Sequence, residues 1–514
     1  MFTTILYPDW ARHELPRQQK APACFKDLNL DQILLPLYDG GINSALASVC
    51  FTPLSDPEVI AYRQAVLQDL SDDKLRGAVD WFSEAILPLN EGLSRLREAL
   101  TNKTTYENDD LSRGALVRYV GGYCMIIDGL AAAMQGASPA SPGMQEFRQY
   151  VLRYAASGDY TRMRDRIGAV RKALNEVRYC LFLKGYTLRV RKYEDQPEQA
   201  PDLEALFSRF REGESAVYKR FMMEMPSCRD TEVSVLRQVA ALFPKQFAVL
   251  NDFCADGIRF VDETLLRFAQ EVRFYLGWLK CTDPLREAGL PLCYPELTDR
   301  AKDLYANEVY DLALARSKGE KTVTNSFDLN GPERIMVVTG ANQGGKTTFA
   351  RSFGQAHWLG CLGLTVPGRS ARLLMFDQIL THFEKEEDLN DLSGKLQDDL
   401  KRLKVLLDQG TDRSLYIINE IYSSTTLADA TTLGGRMMDA IAALGGPAVV
   451  VTFLDSLSKH GPETISMVAG ASEEEPGKRT YKVVRRPSDG LAFAMHLAAK
   501  HGLTYEQIKR RLAV

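Results

Sequence analysis

The residues best suited to chemistry form one run, Gly340-Ala341-Asn342-Gln343-Gly344-Gly345-Lys346-Thr347, followed by Thr348. A glycine, four residues, then Gly-Lys-Thr is a phosphate-cradling spacing, and it has the context such a loop needs. The apolar run Ile335–Val338 reads as a strand before it, and Thr348 to Trp358 reads as a helix after it. Glycines let backbone N–H groups curl around an anion, and the helix start adds partial positive charge. Lys346 offers an ammonium to the outer phosphates, and Thr347 offers a hydroxyl to Mg²⁺. A Gly-rich turn of no consequence is the bland alternative, and the flanking strand and helix weigh against it. The ligand this pattern takes is a nucleoside triphosphate.

A loop of this kind works with a second strand that ends in an acid. Residues 414–418 (SLYII) form that strand and run into Asn419-Glu420. Hydrolytic sites of this class place an Asp first, to hold the water shell of Mg²⁺, and a Glu next, to orient the attacking water. Asn419 can accept a hydrogen bond but brings no negative charge, so weak metal retention and slow turnover, or binding without turnover, are expected. Glu420 is the candidate general base, with Thr347, Asn419 and Glu420 as the metal-side set. Between these pieces, Asp391-Leu392-Ser393-Gly394-Lys395 opens a helix striped by Leu396, Leu400, Leu403 and Leu407. Ser393 reads first as an ordinary N-cap, and otherwise as a helix start able to bind a phosphate presented by a second subunit.

These residues must be positioned by folded elements. The chain has 514 residues, too many for one hydrophobic core. Hydrophobic residues at 45% and charged residues at 25% exclude a mainly disordered chain, a collagen-like fibre and a polytopic membrane protein. No stretch approaches the ~18 consecutive apolar residues of a membrane span, and MFTTILYPDWARHELPRQQ lacks the build of a secretory signal. Nine scattered cysteines without a Cys-x-x-Cys suggest neither a disulfide framework nor a zinc module. A cytoplasmic protein without membrane contact is expected.

Residues 1–285 read as helical. Ser55-Asp56-Pro57-Glu58 is a helix start, GASPASPG (136–143) is a loop, and Cys254 to Lys280 reads as one long helix. Its stripe of Val261, Leu265, Phe268, Val272, Tyr275 and Leu279 is core-like. Around Gly185, residues 181–191 read as two short strands, a clamp-like tip near 180–195. From residue 286 to 514, strands alternate with helices, including strands at 335–338, 414–418 and 448–451 and an edge strand at 479–486. The expected fold is α plus α/β: a long-helix core and lever region, then a P-loop domain, with the boundary near Asp283–Pro295.

VVTGANQGGKTTFARS (337–352) resembles the phosphate loop of the MutS family of DNA mismatch-repair ATPases. LTVPGRSARLLMFDQILTHFEKEEDL (364–389), TYKVVRRPSDGLAFAMHLAAKHGLTYEQI (480–508) and FTPLSDPEVIAYRQAVLQDL (51–70) are similar to other segments of that family. The resemblance implies an ABC-type ATPase domain, dimeric, using ATP and Mg²⁺ and joined to a lever that closes around DNA. It assigns Gly340, Gly345, Lys346 and Thr347 to phosphate and metal, Glu420 to hydrolysis, and Ser393 to the partner subunit's site. It places Asn325 and Phe327 near the adenine, and Asp429 in the loop linking two sites.

Departures accompany it. Asn419 stands for the usual Asp, IYSSTTLADA lacks a Gly-Arg-Gly, and Phe453 stands where many members carry His. Phe82-Ser83-Glu84 matches the letters of the mismatch wedge but lies in a helical run, so it reads as packing, and a member without the mismatch-recognition domain is expected. Twelve basic residues against four acids between Met144 and Lys192 contrast with a net charge of −4 for the chain. That cluster suits a phosphate backbone, or it is a solvated helix face. The expected function is an ATP-dependent DNA-binding protein in repair or recombination, acting on duplex, branched or mismatched DNA as a homodimeric clamp with weak, DNA-dependent ATPase activity. The alternative is a non-hydrolysing nucleotide-bound scaffold for a protein partner.

Overall fold

The computed structural model describes residues 2–8, 20–38, 45–101, 110–184, 187–195, 229–255, 260–301, 303–384, 394–422, 424–471, 479–488 and 502–512. The chain divides into two compact units. Residues 77–138 and 146–269 form one, and residues 2–76, 139–145 and 270–514 form the other. The sequence reading expected a single cut near 285. The difference arises because residues 2–76 pack into the strand-rich unit.

The first unit is helical. Phe82 lies fully buried, and the Ser83 hydroxyl donates to the Ala269 carbonyl at 2.8 Å, so this tripeptide packs. The helix expected over 254–280 is not continuous in the described residues. One helix spans Pro244–Ala255 and another Glu263–Glu287, the second opened by Asp262, which accepts from the Leu265 amide at 2.9 Å. Such a carboxylate at an N-terminus satisfies amides that have no helical partner, so the apolar stripe was right from Leu265 onward and the start was not. Helix Asp110–Gly136 is long and apolar enough, by length and composition alone, to cross a membrane, and half of its apolar window is buried. Strands β1 (Tyr179–Lys184) and β2 (Thr187–Lys192) form the antiparallel hairpin read around Gly185.

The second unit holds the remaining sheets. A four-stranded sheet runs in the order β4 (Glu296–Thr298), β9 (Ser370–Leu374), β5 (Leu304–Val309) and β6 (Asn325–Leu329). The two-residue strands β3 (Leu292–Cys293) and β8 (Val366–Pro367) pair separately. The main sheet runs β10 (Ile379–Phe383), β11 (Leu415–Asn419), β12 (Ala448–Val451), β7 (Ile335–Gly340), β13 (Thr464–Ala471) and β14 (Arg479–Arg485). All neighbours are parallel except β13 with the edge strand β14. Near-continuous apolar runs such as Leu415–Ile418 and Ala448–Val451 are what strands covered on both faces require. On one face Ile335, Val337, Tyr416, Ile418 and Val450 pack with Met437, Met438 and Ile441 of helix Leu427–Leu444. The helix Lys346–Cys361 is buried along most of its length.

Residues 2–76 are tied into this unit by buried polar contacts. The indole of Trp358 donates to Cys50 O at 3.1 Å, and Gln355 Nε2 donates to Leu28 O at 2.9 Å. Arg63, fully buried, donates from Nε to Leu6 O at 3.0 Å and from NH1 to Leu362 O at 3.1 Å. Its guanidinium also lies over the Tyr7 and Phe274 rings, at 5.0 and 5.5 Å. Arg63→Ala leaves two buried carbonyls unpartnered and a void, and should cost about 3 kcal/mol. Urea unfolding followed by tryptophan fluorescence reads this, since Trp278 and Trp358 are buried in the same unit; an unmoved midpoint would show that the clasp contributes no stability.

Candidate nucleotide-binding site

Parallel pairing sets the site's place. Asn419 sits opposite Val451, and Val451 opposite Val338, so the carboxyl ends of β11, β12 and β7 finish in one row. Ligands of open α/β sheets bind at this edge. The loop after β7 turns through Gly340 at φ 112° and Gly345 at φ 97°, values that L side chains rarely adopt. A Cβ on Gly340 would also sit 2.6 Å from the Ala469 carbonyl of β13. Gly345 precedes the first residue of helix Lys346–Cys361, so the helix opens directly from the loop.

Lys346 is 4% exposed and its ammonium faces back into the loop. It donates to Gly340 O at 2.9 Å, Ala341 O at 3.3 Å and Asn342 Oδ1 at 3.2 Å, and stands 3.9 Å from Glu420 Oε1. Burial holds its pKa below the ordinary lysine value, with Glu420 opposing that shift and Arg479 adding to it. The Thr347 hydroxyl donates to Asn419 Oδ1 at 2.9 Å. Asn419 is buried at the end of β11, and its amide oxygen takes the hydrogen bond a carboxylate there would take. Glu420 follows with φ 55°, and its amide donates to Val451 O at 2.9 Å. The structure thus brings Lys346, Thr347, Asn419 and Glu420 together.

A cleft of about 460 Å³ opens beside them, lined among others by Lys346, Thr347, Thr348, Gln343, Gly345, Glu420 and Asn325. Asn325 fastens the edge strand: its Oδ1 accepts from Val483 N at 2.7 Å and its Nδ2 donates to Tyr481 O at 3.3 Å. Phe327 does not reach the cleft. It is buried in β6, its ring packed edge-on against Phe349 and Phe353 at 6.4 and 5.2 Å. Ser393 lies outside the described residues. Asp429 sits in the first turn of helix Leu427–Leu444, where its amide donates to the cap residue Thr426. Phe453 is half exposed just past β12.

Four contributors had no sequence signal beyond an edge strand and a short helix. Tyr481 lines the cleft at φ 57° with its side chain half exposed, and Lys318 and Lys321 line it too. Arg479 donates to Gln343 Oε1 at 2.7 Å, joining the edge strand to the loop. Only the sheet order brings residues 479–483 beside residues 343–347.

No cluster of three or more His, Cys, Asp or Glu able to hold a metal occurs among the described residues. The donor set is a hydroxyl, an amide oxygen and one carboxylate, from Thr347, Asn419 and Glu420. Mg²⁺ fits such a set when ligand phosphates and waters supply most of its six oxygens.

Part of the chain is similar to known proteins. Residues 336–503 match the family model for MutS domain V. The chain is 29% identical over 194 residues to the endonuclease MutS2 of Thermus thermophilus, covering 37% of this chain and 26% of that protein. It is 29% identical over 199 residues to the mitochondrial DNA mismatch repair protein MSH1 of Arabidopsis thaliana, covering 37% and 17%. It is 28% identical over 197 residues to the DNA mismatch repair protein MutS of Thermotoga maritima, covering 37% and 24%. The chain therefore spans about a quarter or less of these relatives' length. The resemblance to the MutS family is borne out: residues 336–503, in the carboxyl-terminal part of the chain, match MutS domain V.

Proposed function

We propose that this protein binds ATP with Mg²⁺ in an ABC-type site built on residues 340–347, and that nucleotide occupancy controls its grip on DNA in repair or recombination. The observation that carries the reading is the convergence of Lys346, Thr347, Asn419 and Glu420 at the carboxyl ends of parallel strands, in a chain whose residues 336–503 match MutS domain V. Backbone amides after Gly340 and the start of helix Lys346–Cys361 receive the phosphates, and Lys346 neutralises their outer charge. Mg²⁺, when bound, screens the phosphate charge and polarises the bond to be broken. Thr347 and Asn419 hold its side of the site, and Glu420 orients a water and takes its proton. With Asn419 in place of a carboxylate, the site retains the metal weakly and turns over slowly. Tyr481 offers an aromatic wall to the base. Ser393 and a second copy of the chain complete the site, as in a dimeric clamp.

The DNA surface is the helical unit. Of the twelve basic residues between Met144 and Lys192, ten are exposed in the described structure. Arg148 is spent on Met134 O at 2.8 Å, while most of the others stand on helix Gly158–Asn175 and the β1–β2 hairpin. The test compares perfect duplex, mispaired duplex and four-way junction in fluorescence anisotropy, each with and without ATP. Affinity should change several-fold with ATP and fall steeply with salt. DNA affinity indifferent to ATP on all three substrates would overturn the coupling.

A second reading, a nucleotide-holding scaffold for a protein partner, is favoured by one observation. Asn419 already satisfies the Thr347 hydroxyl without any charge to hold a metal.

A further inference from the structure

The β1–β2 hairpin has two unlike faces. Side chains alternate along a strand, and Phe182 pairs directly with Arg189, while Cys180 pairs with Arg191. Phe182, Arg189 and Arg191 therefore share one face. Phe182 is 42% exposed there, and the Arg191 guanidinium lies 5.7 Å from its ring centroid. Both arginines are exposed, and among the described residues neither is in an ion pair with a carboxylate. On the opposite face, Lys192 rests over the Phe243 ring at 5.4 Å.

An exposed phenyl ring is costly in water, and two guanidiniums beside it add charge that no acid among the described residues pairs with. A nucleic-acid strand answers both, because its phosphates pair with the arginines and its bases offer flat π-faces to the ring. Paired duplex keeps those faces stacked inside the helix, whereas an unpaired stretch presents them. We propose that this face of the hairpin binds unpaired DNA, Phe182 stacking on a base while Arg189 and Arg191 hold the flanking phosphates. The protein then prefers single-stranded or forked DNA to fully paired duplex. This rests on the reading of the chain as a DNA-binding protein and names the form of DNA that its basic unit takes.

The experiment uses the full chain in anisotropy titrations with a short oligothymidylate, a duplex of equal length and a fork. Phe182→Ala should weaken oligothymidylate and fork binding about ten-fold while leaving duplex binding and the salt dependence unchanged. Phe182→Tyr should restore both. Arg189→Gln with Arg191→Gln should weaken all three ligands and lower the salt slope by about one to two. Phe182→Ala binding oligothymidylate as the unmodified protein does, or an unmodified protein indifferent to strand pairing, overturns the stacking proposal alone. An unmodified protein that binds none of the three ligands overturns the DNA reading beneath it.

Discussion

Lys346→Ala is expected to abolish measurable ATP binding. The ammonium is buried and already collects three acceptors of its own loop within 3.3 Å. It is therefore pre-placed, so little side-chain entropy is lost when phosphate oxygens take over those contacts. Two charge-assisted hydrogen bonds at about 1.5–3 kcal/mol each amount to roughly two to four orders of magnitude in affinity. The alanine also removes the ammonium donor from Gly340 O and Ala341 O, the latter keeping only the Gly344 amide at 3.1 Å, and leaves Glu420 without the cation 3.9 Å away. Lys346→Arg should fail as well, because a 4% exposed site has no room for a guanidinium. Calorimetric titration of the folded variant with ATP and Mg²⁺ decides it. The same variant should still bind DNA, but without response to ATP. An ATP affinity close to that of the unmodified protein would mean that the loop at 340–347 is not the site.

What could be read from residues alone was whatever is contiguous in the chain. The loop, its strand and helix, and the acid following a buried strand each occupy fewer than twenty consecutive residues, and all were placed correctly by type. Orientation was harder. Asn325 and Phe327 lie two apart on one strand, hence on one face; Asn325 is at the open end near the cleft, while Phe327 is already under helix Lys346–Cys361. No local pattern distinguishes an aromatic that stacks on a ligand from one that packs edge-on against Phe353. Tyr481 shows the converse, since an edge-strand residue becomes a cleft wall only because β14 closes the sheet beside β13. The packing of residues 2–76 into the sheet unit is also invisible locally: Arg63, bonded to Leu6, reaches Leu362, which lies 299 residues further along the chain. Long-range contacts leave no periodicity to read.

Glu420→Gln should separate holding from hydrolysing. The amide keeps the shape of the side chain and cannot take a proton, so turnover should fall about 100-fold or more, within the usual range for losing a general base. ATP affinity should hold or rise, because the carboxylate near Lys346 no longer competes with the phosphates for that cation. Asn419→Asp tests the neighbouring position with the opposite sign. Its carboxylate would accept from Thr347 as Asn419 does and would add one negative charge on the metal side of the site, so Mg²⁺-dependent turnover should rise about ten-fold. These two variants, measured with the unmodified protein in steady-state phosphate release, divide the two functional readings. An ATPase brought to a slow pace by Asn419 gives three separated rates, with the aspartate fastest and the glutamine slowest. A scaffold that only holds nucleotide gives an unmodified rate already as low as that of Glu420→Gln. If Asn419→Asp does not raise turnover in either setting, then Asn419 is not what limits it, and the exposed Phe453 beyond β12 becomes the next residue to change.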